Sequence, residues 1–556
     1  MTDKEMKLQD GGDSHLTDHD RWRLDRNAAL PCPSLPPKRR NIFFKSEASH
    51  PQANALEESL EANTCPALSK RYVGGENLAT TIGDMEKIAS YICETPWVEP
   101  TGVIPAGYTY LAQLVAHDIC KPTLGKFAYE RERPVMSATM RSSRPIVAPH
   151  NAMMLQSIFG PMENQGDQPE ITSPEAPRSR RRQTRPLSRL PAFDLKRSKR
   201  SGQFIRGYAD PRNQDTPMIS QLCALFVRLK EIGTAKLKSE GHDDYRAAIL
   251  AHEITVGVYL DIIEKDLLKR LLLPSVYRHY VNSKDDSILL DRRLSGASSD
   301  IPIEFTNGVF RFGHAMVRRQ YDLNWKIIGQ PIESLIGSAN RDDWWVDWSK
   351  FFEIGNEKSS PQAAREIGPN YVDRFAEAKE MQIESKHGDW TNDLALIDLT
   401  RSVDAGLLKV AEVISEIRTP FADVEGSADW YIWDDNGVAN LMSGWAQRQK
   451  DKGKRFPEHA KSDPPFAAFV LIEAGESNVN HGFGAGKSLG CVASIVVAEV
   501  VFSAILNSRY FLAYEEARVG SNLMAAKHSV LGNSQLECIP SLLKFLSKNS
   551  NKWRDK

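Results

Sequence analysis

The stretch Ile104 to Thr123, IPAGYTYLAQLVAHDICKPT, constrains the chain more than any other. Its apolar residues recur at helical spacing, so a helix here must bury most of its circumference. Gln113 and His117 stand four residues apart, one turn above the other on one face. Alone, an imidazole on such a helix reads as a hydrogen-bonded core histidine, the ordinary fate of a buried polar group. Two further segments change that reading. Glu304 to Arg318, EFTNGVFRFGHAMVR, is a second apolar helical pattern and carries His314 on its apolar side. DPRNQD, Asp210 to Asp215, sets Arg212 between turn-forming residues. A chain that sends two histidines and an arginine toward its interior needs a core large enough to close around them.

The 556 residues can supply such a core, and by length alone would make roughly three or four average domains. With 71 basic and 72 acidic side chains the net charge is −1, so nothing global draws the chain to nucleic acid or a membrane surface. MTDKEMKLQDGGDSH at the N-terminus has no apolar signal core, and seven cysteines without paired spacing fit a reducing compartment, so a cytoplasmic location is expected. The longest apolar run, Leu489 to Leu506, contains Glu499 and is short for a membrane span, which makes it a buried core helix.

Residues 1–75 show no sustained periodicity and read as an extended or disordered arm, with Lys38, Arg39 and Arg40 as solvated linker charge. The main domain covers 76–535. Helical pattern starts near Thr80, and Met218 to Lys238 and Asp243 to Leu273 are expected as long packed helices, the second stopped by Pro274. His252, on the second, reads as structural. Ten basic residues between Arg178 and Arg200 lie in a segment of weak pattern, about 161–205. Such a run can grip an anionic partner, but without interleaved aromatics it reads as a solvated insertion. Trp344, Trp345 and Trp348 read as packing anchors rather than a relay of radicals to the surface. Residues 536–556 read as a polar C-terminal tail.

The motifs PAGYTYLAQLVAHD, DPRN, IEFTNGVFRFGHAMVR, WWVDWSKFF and LGCVASIVVAEVVFSAIL, in this order, resemble the bacterial branch of the animal-type haem peroxidases, the peroxidase-cyclooxygenase superfamily. The resemblance runs from about Ile104 to about Tyr514. It implies a mainly α, large single-domain fold with haem b held non-covalently between a distal and a proximal helix. In that frame His314 is the axial ligand of the haem iron and His117 the acid-base group on the opposite face, a role worth ~10² to 10⁴ in rate. Arg212 stabilises the charge that develops as the O–O bond breaks, and losing such a donor costs about 10² to 10³. Gln113 holds water or an anion above the iron. The implied reaction uses hydrogen peroxide to reach a ferryl species, which then oxidises a small organic or anionic donor. Arg311 and Arg401 match arginines that lie near haem in the family, and either suits propionate pairing. Asp398, in NDLALIDLTRSVDAG, stands where relatives place the asparagine partner of the proximal histidine. A carboxylate there pulls the imidazole toward imidazolate, the alternative being a helix cap or a partner for Arg401.

Several family features are replaced. Ala116 precludes one of the covalent ester links to haem that some animal relatives form, and Asp215, shorter than the usual glutamate, makes the other doubtful. The family calcium site uses the residue after the distal histidine, Asp118, and a loop that here reads MLQSIFG, with Met154 and Gln156 in place of hard oxygen donors, so calcium is not expected. Arg228, Leu229, Lys230 and Glu231 replace the family's REHN. A fatty-acid dioxygenase of the cyclooxygenase type needs a tyrosine shortly before the proximal histidine, where this chain has Phe310 and Phe312. The replaced loops favour a degenerate haem-binding or interaction protein, while retention of His117, Arg212 and His314 together argues against it.

Overall fold

The computed structural model describes residues 78–93, 101–119, 152–160, 169–172, 192–196, 206–282, 302–336, 344–355, 360–372, 383–384, 390–391, 394–404, 407–421, 432–448, 456–480, 486–519 and 522–549. The N-terminal arm of 1–75 lies outside the described residues, as does nearly all of the basic run. Six of its ten residues, Arg178 to Arg189, lie in sequence between the short strands Ile171–Thr172 and Asp194–Leu195, and the other four follow the second strand.

Helices dominate, and strands occur only as two-stranded pairs among the described residues. Helix α1 (Leu78–Ile92) is followed by strand β1 (Thr101–Pro105) and helix α2 (Gly107–Ile119). Strands β2 (Ile171–Thr172) and β3 (Asp194–Leu195) pair with each other. Helix α3 (Pro217–Ser239) starts on a Thr216 cap with Pro217 in the first turn, where its missing N–H costs nothing, and packs along α4 (Asp244–Ile262). Helix α5 is short (Ile303–Asn307); strand β4 (Ala363–Arg365) pairs antiparallel with β1, and α6 spans Leu394–Asp404. Helices α7 (Phe466–Asn480), α8 (Cys491–Val519) and α9 (Ile539–Asn549) complete the set used here.

Helix α8 contains the expected core helix. It is the one described helix long and apolar enough to cross a membrane by length and composition, and 83% of its stretch Cys491–Arg509 is buried inside the fold. Glu499 accepts the Tyr280 hydroxyl, which satisfies the one carboxylate in that stretch. The α8 N-terminus is capped from α7: Glu473 accepts the amides of Val492 (3.0 Å) and Ala493 (3.2 Å), and the Trp433 indole N–H (3.0 Å).

Three expectations need correction. The helix over Asp243 to Leu273 is not regular: α4 gives way to a π turn at Ile263–Leu267 before a last turn at Leu268–Leu271. The widened turn coincides with the carboxylate of Asp266 that meets α2, where it accepts the Tyr108 hydroxyl at 2.7 Å. The pattern from Glu304 to Arg318 is not one helix but α5, a break at Gly308, and a 3₁₀ segment, Val309–Met316. Gly308 is pressed between elements: a Cβ there would lie 2.5 Å from the Glu304 carbonyl oxygen and 2.8 Å from Phe466 of α7. Finally, the region 536–556 is no polar tail throughout, because α9 buries Ile539, Leu542, Leu543, Phe545 and Leu546 and packs on α3. Their spacing is the i, i+3, i+4, i+7 pattern of a core-facing helix, masked in the sequence by the lysines between them.

Candidate active site

Helix α2 presents the first half of the site. Gly107 lets it start against the Phe351–Phe352 turn, since a Cβ there would fall 2.3 Å from the Phe352 ring. His117 is 6% exposed, and its Nδ1 lies 2.8 Å from Asn213 Oδ1. The other end of the Asn213 amide donates to the Ser157 carbonyl at 3.1 Å, which fixes its orientation. Asn213 therefore accepts from Nδ1–H, and Nε2 of His117 keeps its lone pair. Asn213 stands in the sequence only as part of DPRN, a motif that gives no sign of its full burial.

Arg212 and Asn213 share a one-turn 3₁₀ helix, Pro211–Gln214, capped by Asp210. The same carboxylate takes the Arg212 side chain, with Nε at 3.0 Å from both oxygens and Nη2 at 2.6 Å from Oδ2. Burial works to raise the Asp210 pKa, but the Arg212 guanidinium and its hydrogen bonds hold the carboxyl below its usual range. The Arg212 cation thus comes already paired, with part of its charge offset. Burial first, and then the Arg212 charge, push the His117 pKa down to about 4, against Asp210 and Asn213, which act upward; the His314 imidazole adds to the depression. The segment that carries His314, 197 positions on, packs against α2.

The 3₁₀ segment Val309–Met316 supplies the second half. His314 Nδ1 lies 2.6 Å from Asp398 Oδ2, and Arg311 Nη1 donates to Asp398 Oδ1 at 2.7 Å. Asp398, 2% exposed in the middle of α6, is also reached by the Tyr371 hydroxyl at 2.9 Å. It is not a helix cap. Burial works to raise its pKa, but the His314 and Arg311 charges and hydrogen bonds bring it to about 2. Burial, and then the Asp398 charge, push the Tyr371 phenol up, so it stays a neutral donor. No sequence signal pointed to Tyr371; the fold delivers it from the bridge beside Cys93.

Around these groups the helices keep a partly exposed lining. Gln113 and Ala116 are half-buried on an otherwise buried α2, and so are Arg311, Gly313 and His314. A Cβ added at Gly313 would meet no atom within 4 Å. The structure groups His117 with Asn213 and Arg212, and His314 with Arg311 and Asp398, on segments that pack together. Asp215 sits at the end of the Arg212 turn, half-buried, its amide bonded to the Arg212 carbonyl at 3.2 Å. Arg401 lies on α6, and its side chain is outside the described residues.

The remaining expectations are structural ones. Asp118 accepts the amides of Leu155 (2.9 Å) and Ser157 (3.1 Å), holding the segment 154–160 by backbone N–H groups. His252 is fully buried edge-on to Phe159, whose ring also meets the Lys230 ammonium 4.6 Å from its centroid. Trp344 and Trp348 are buried, Trp348 against Phe351 and Phe352.

No family model and no curated protein matches the sequence. Among solved structures the chain is similar to peroxidase A from Dictyostelium discoideum, at 13% identity and a TM-score of 0.45, covering 78% of this chain and 84% of that one. It is also similar to fatty acid alpha-dioxygenase from Arabidopsis thaliana, at 13% identity and a TM-score of 0.49 over 84% of this chain and 75% of that one. The corresponding Oryza sativa enzyme gives 12% identity and a TM-score of 0.46, over 83% and 78%. These three similar structures are a peroxidase and two fatty acid alpha-dioxygenases.

Proposed function

We propose that this chain is a b-type haem peroxidase of the peroxidase-cyclooxygenase superfamily, reducing hydrogen peroxide and oxidising a small organic or anionic donor. One observation carries the reading: two imidazoles stand on segments that are distant in sequence and packed together in the fold, each with its Nδ1 engaged by a different kind of partner. His117 bonds a neutral amide, so its ring stays neutral and its Nε2 can take up and return one proton. His314 bonds a carboxylate, so its Nε2 is a strengthened σ-donor suited to a metal. Iron porphyrin, when bound, supplies the redox chemistry. The donor set fits such a group: the engaged imidazole of His314 would hold the metal and the half-buried Arg311 beside it would pair a propionate, with small residues, Ala116 and Gly313, on the two packed segments.

The chain's own steps follow. His117 Nε2 accepts a proton from the bound peroxide and returns it to the leaving oxygen, a transfer that a pKa of about 4 keeps available at neutral pH. Arg212, paired on Asp210, offers an oriented positive charge to the oxygen that becomes anionic. Gln113, one turn below His117, orients water or an anionic donor. A dioxygenase reading lacks its tyrosine: the aromatic residues before His314 are Phe310, stacked on Phe305 at 4.5 Å, and Phe312, edge-on to Phe310 at 5.6 Å. The test is spectral and kinetic. His314→Ala should abolish the Soret band of stoichiometric haem, whereas His117→Ala should keep it and lose stopped-flow reactivity with peroxide. Normal haem binding by the first variant defeats the proximal assignment.

A further inference from the structure

We propose that Tyr371 is a positioning residue for His314: its hydroxyl competes with the imidazole for one oxygen of Asp398 and so limits how far that carboxylate draws the ring proton. This rests on the reading of His314 as the axial ligand. The two oxygens of Asp398 carry unequal loads. Oδ1 accepts Arg311 Nη1 at 2.7 Å, while Oδ2 accepts both His314 Nδ1 at 2.6 Å and the Tyr371 hydroxyl at 2.9 Å. A carboxylate oxygen serving two donors gives each less than it would give one, so the phenol weakens the pull on the imidazole.

Tyr371 is well fixed for this. Its amide donates to the Ile92 carbonyl at the end of α1 at 2.9 Å, and its ring stands edge-on to His314, 6.2 Å between centroids at 87°. The hydroxyl's second acceptor, the Arg311 carbonyl, lies farther off at 3.3 Å, so the single phenolic proton is directed mainly at the carboxylate. Packing explains a ring at this position, 2% exposed, but a phenylalanine would pack as well. The hydroxyl distinguishes the two, and its only described partners are Asp398 and the Arg311 backbone.

The experiment compares haem-loaded protein with Tyr371→Phe and with Tyr371→3-fluorotyrosine introduced at this site alone. The readouts are the ferrous iron-histidine stretching frequency and the midpoint potential. Tyr371→Phe should raise the frequency and lower the equilibrium constant for reduction roughly tenfold, about the worth of one charge-assisted hydrogen bond and ~59 mV for one electron. The fluorinated phenol, a stronger donor of the same shape, should move both readouts the opposite way. Shifts of the same sign in both variants, or none in either, would overturn the proposal while leaving His314 as the ligand. Should Tyr371→Phe fail to fold, the sign of the fluorotyrosine shift decides. A His314→Ala protein that keeps the wild-type axial signature would instead remove the reading on which the proposal rests.

Discussion

Asp398→Asn exchanges one oxygen for an NH₂ group at constant size and so isolates the charge. Three donors converge on this carboxylate, two on one oxygen and one on the other. An amide can satisfy one side only, and its NH₂ must then face either Arg311 or the pair of His314 and Tyr371. The His314 and Arg311 charges, working against burial, hold the folded carboxyl at about 2, below its ordinary 3.8. At ~1.36 kcal/mol per unit, that difference contributes about 2 kcal/mol near neutral pH. Removing the counter-charge of Arg311, whose side chain is 12% exposed, has a cost of ~3 to 5 kcal/mol in buried pairs. Both figures count the same charge, so the expected loss is about 3 kcal/mol rather than their sum. The folded pKa is depressed, so the stabilisation is present above about pH 4 and disappears as pH falls through about 2. Urea unfolding of both proteins at pH 7 and at pH 3, with equal m-values, should show a gap that narrows in acid. An asparagine variant within about 0.5 kcal/mol of wild type at pH 7, the range of an ordinary surface change, would refute the argument.

With the His117 pKa lowered from 6.5 to about 4, the unfolded chain binds more protons between those values, so this ring's contribution to stability falls as pH drops from 6.5 toward 4. For the same reason the acid limb of the peroxide reaction should appear near pH 4 in stopped-flow traces and vanish in His117→Gln; a limb at 6.5 would show that the ring is solvated. Gly107→Ala forces a methyl within 2.3 Å of the Phe352 ring and should destabilise by ~1 to 3 kcal/mol in denaturant melts, an overpacking cost that an unchanged midpoint would contradict. Leu543→Ala empties a fully buried position between α9 and the core, with an expected loss of ~2 to 5 kcal/mol, whereas a tail without packing would tolerate it.

Much of the site was legible because its chemistry sits on periodic, apolar segments. His117 and His314 stood out as imidazoles on patterns that had to be buried, and the order of motifs linked them with Arg212. The broken proximal segment was harder to read. Nothing in EFTNGVFRFGHAMVR discloses that α7 passes close enough to Gly308 to forbid a Cβ, and it is that approach which accompanies the break into a short helix and a 3₁₀ turn. Helix α9 was missed because lysines at 544 and 548 dominate a composition-based view of a segment whose apolar residues fall on one face. Asn213 and Tyr371 are invisible for another reason. Each matters through one hydrogen bond to a residue 96 or 27 positions away, and no local pattern encodes such a pairing.

The two halves of the site are built on the same plan with one chemical difference. Each histidine has an Arg–Asp ion pair beside it, Arg212 with Asp210 on one side and Arg311 with Asp398 on the other. Beside His117 the aspartate is spent on its arginine and on its own cap, and the imidazole is given a neutral amide instead. Beside His314 the aspartate serves both arginine and imidazole. An amide partner leaves a ring free to gain and lose a proton at Nε2, while a carboxylate partner commits the ring to donate electron density there. On the proposed reading, interchanging the partners would interchange the roles, because the division of labour assigned to His117 and His314 rests on what each Nδ1 touches rather than on which segment bears it.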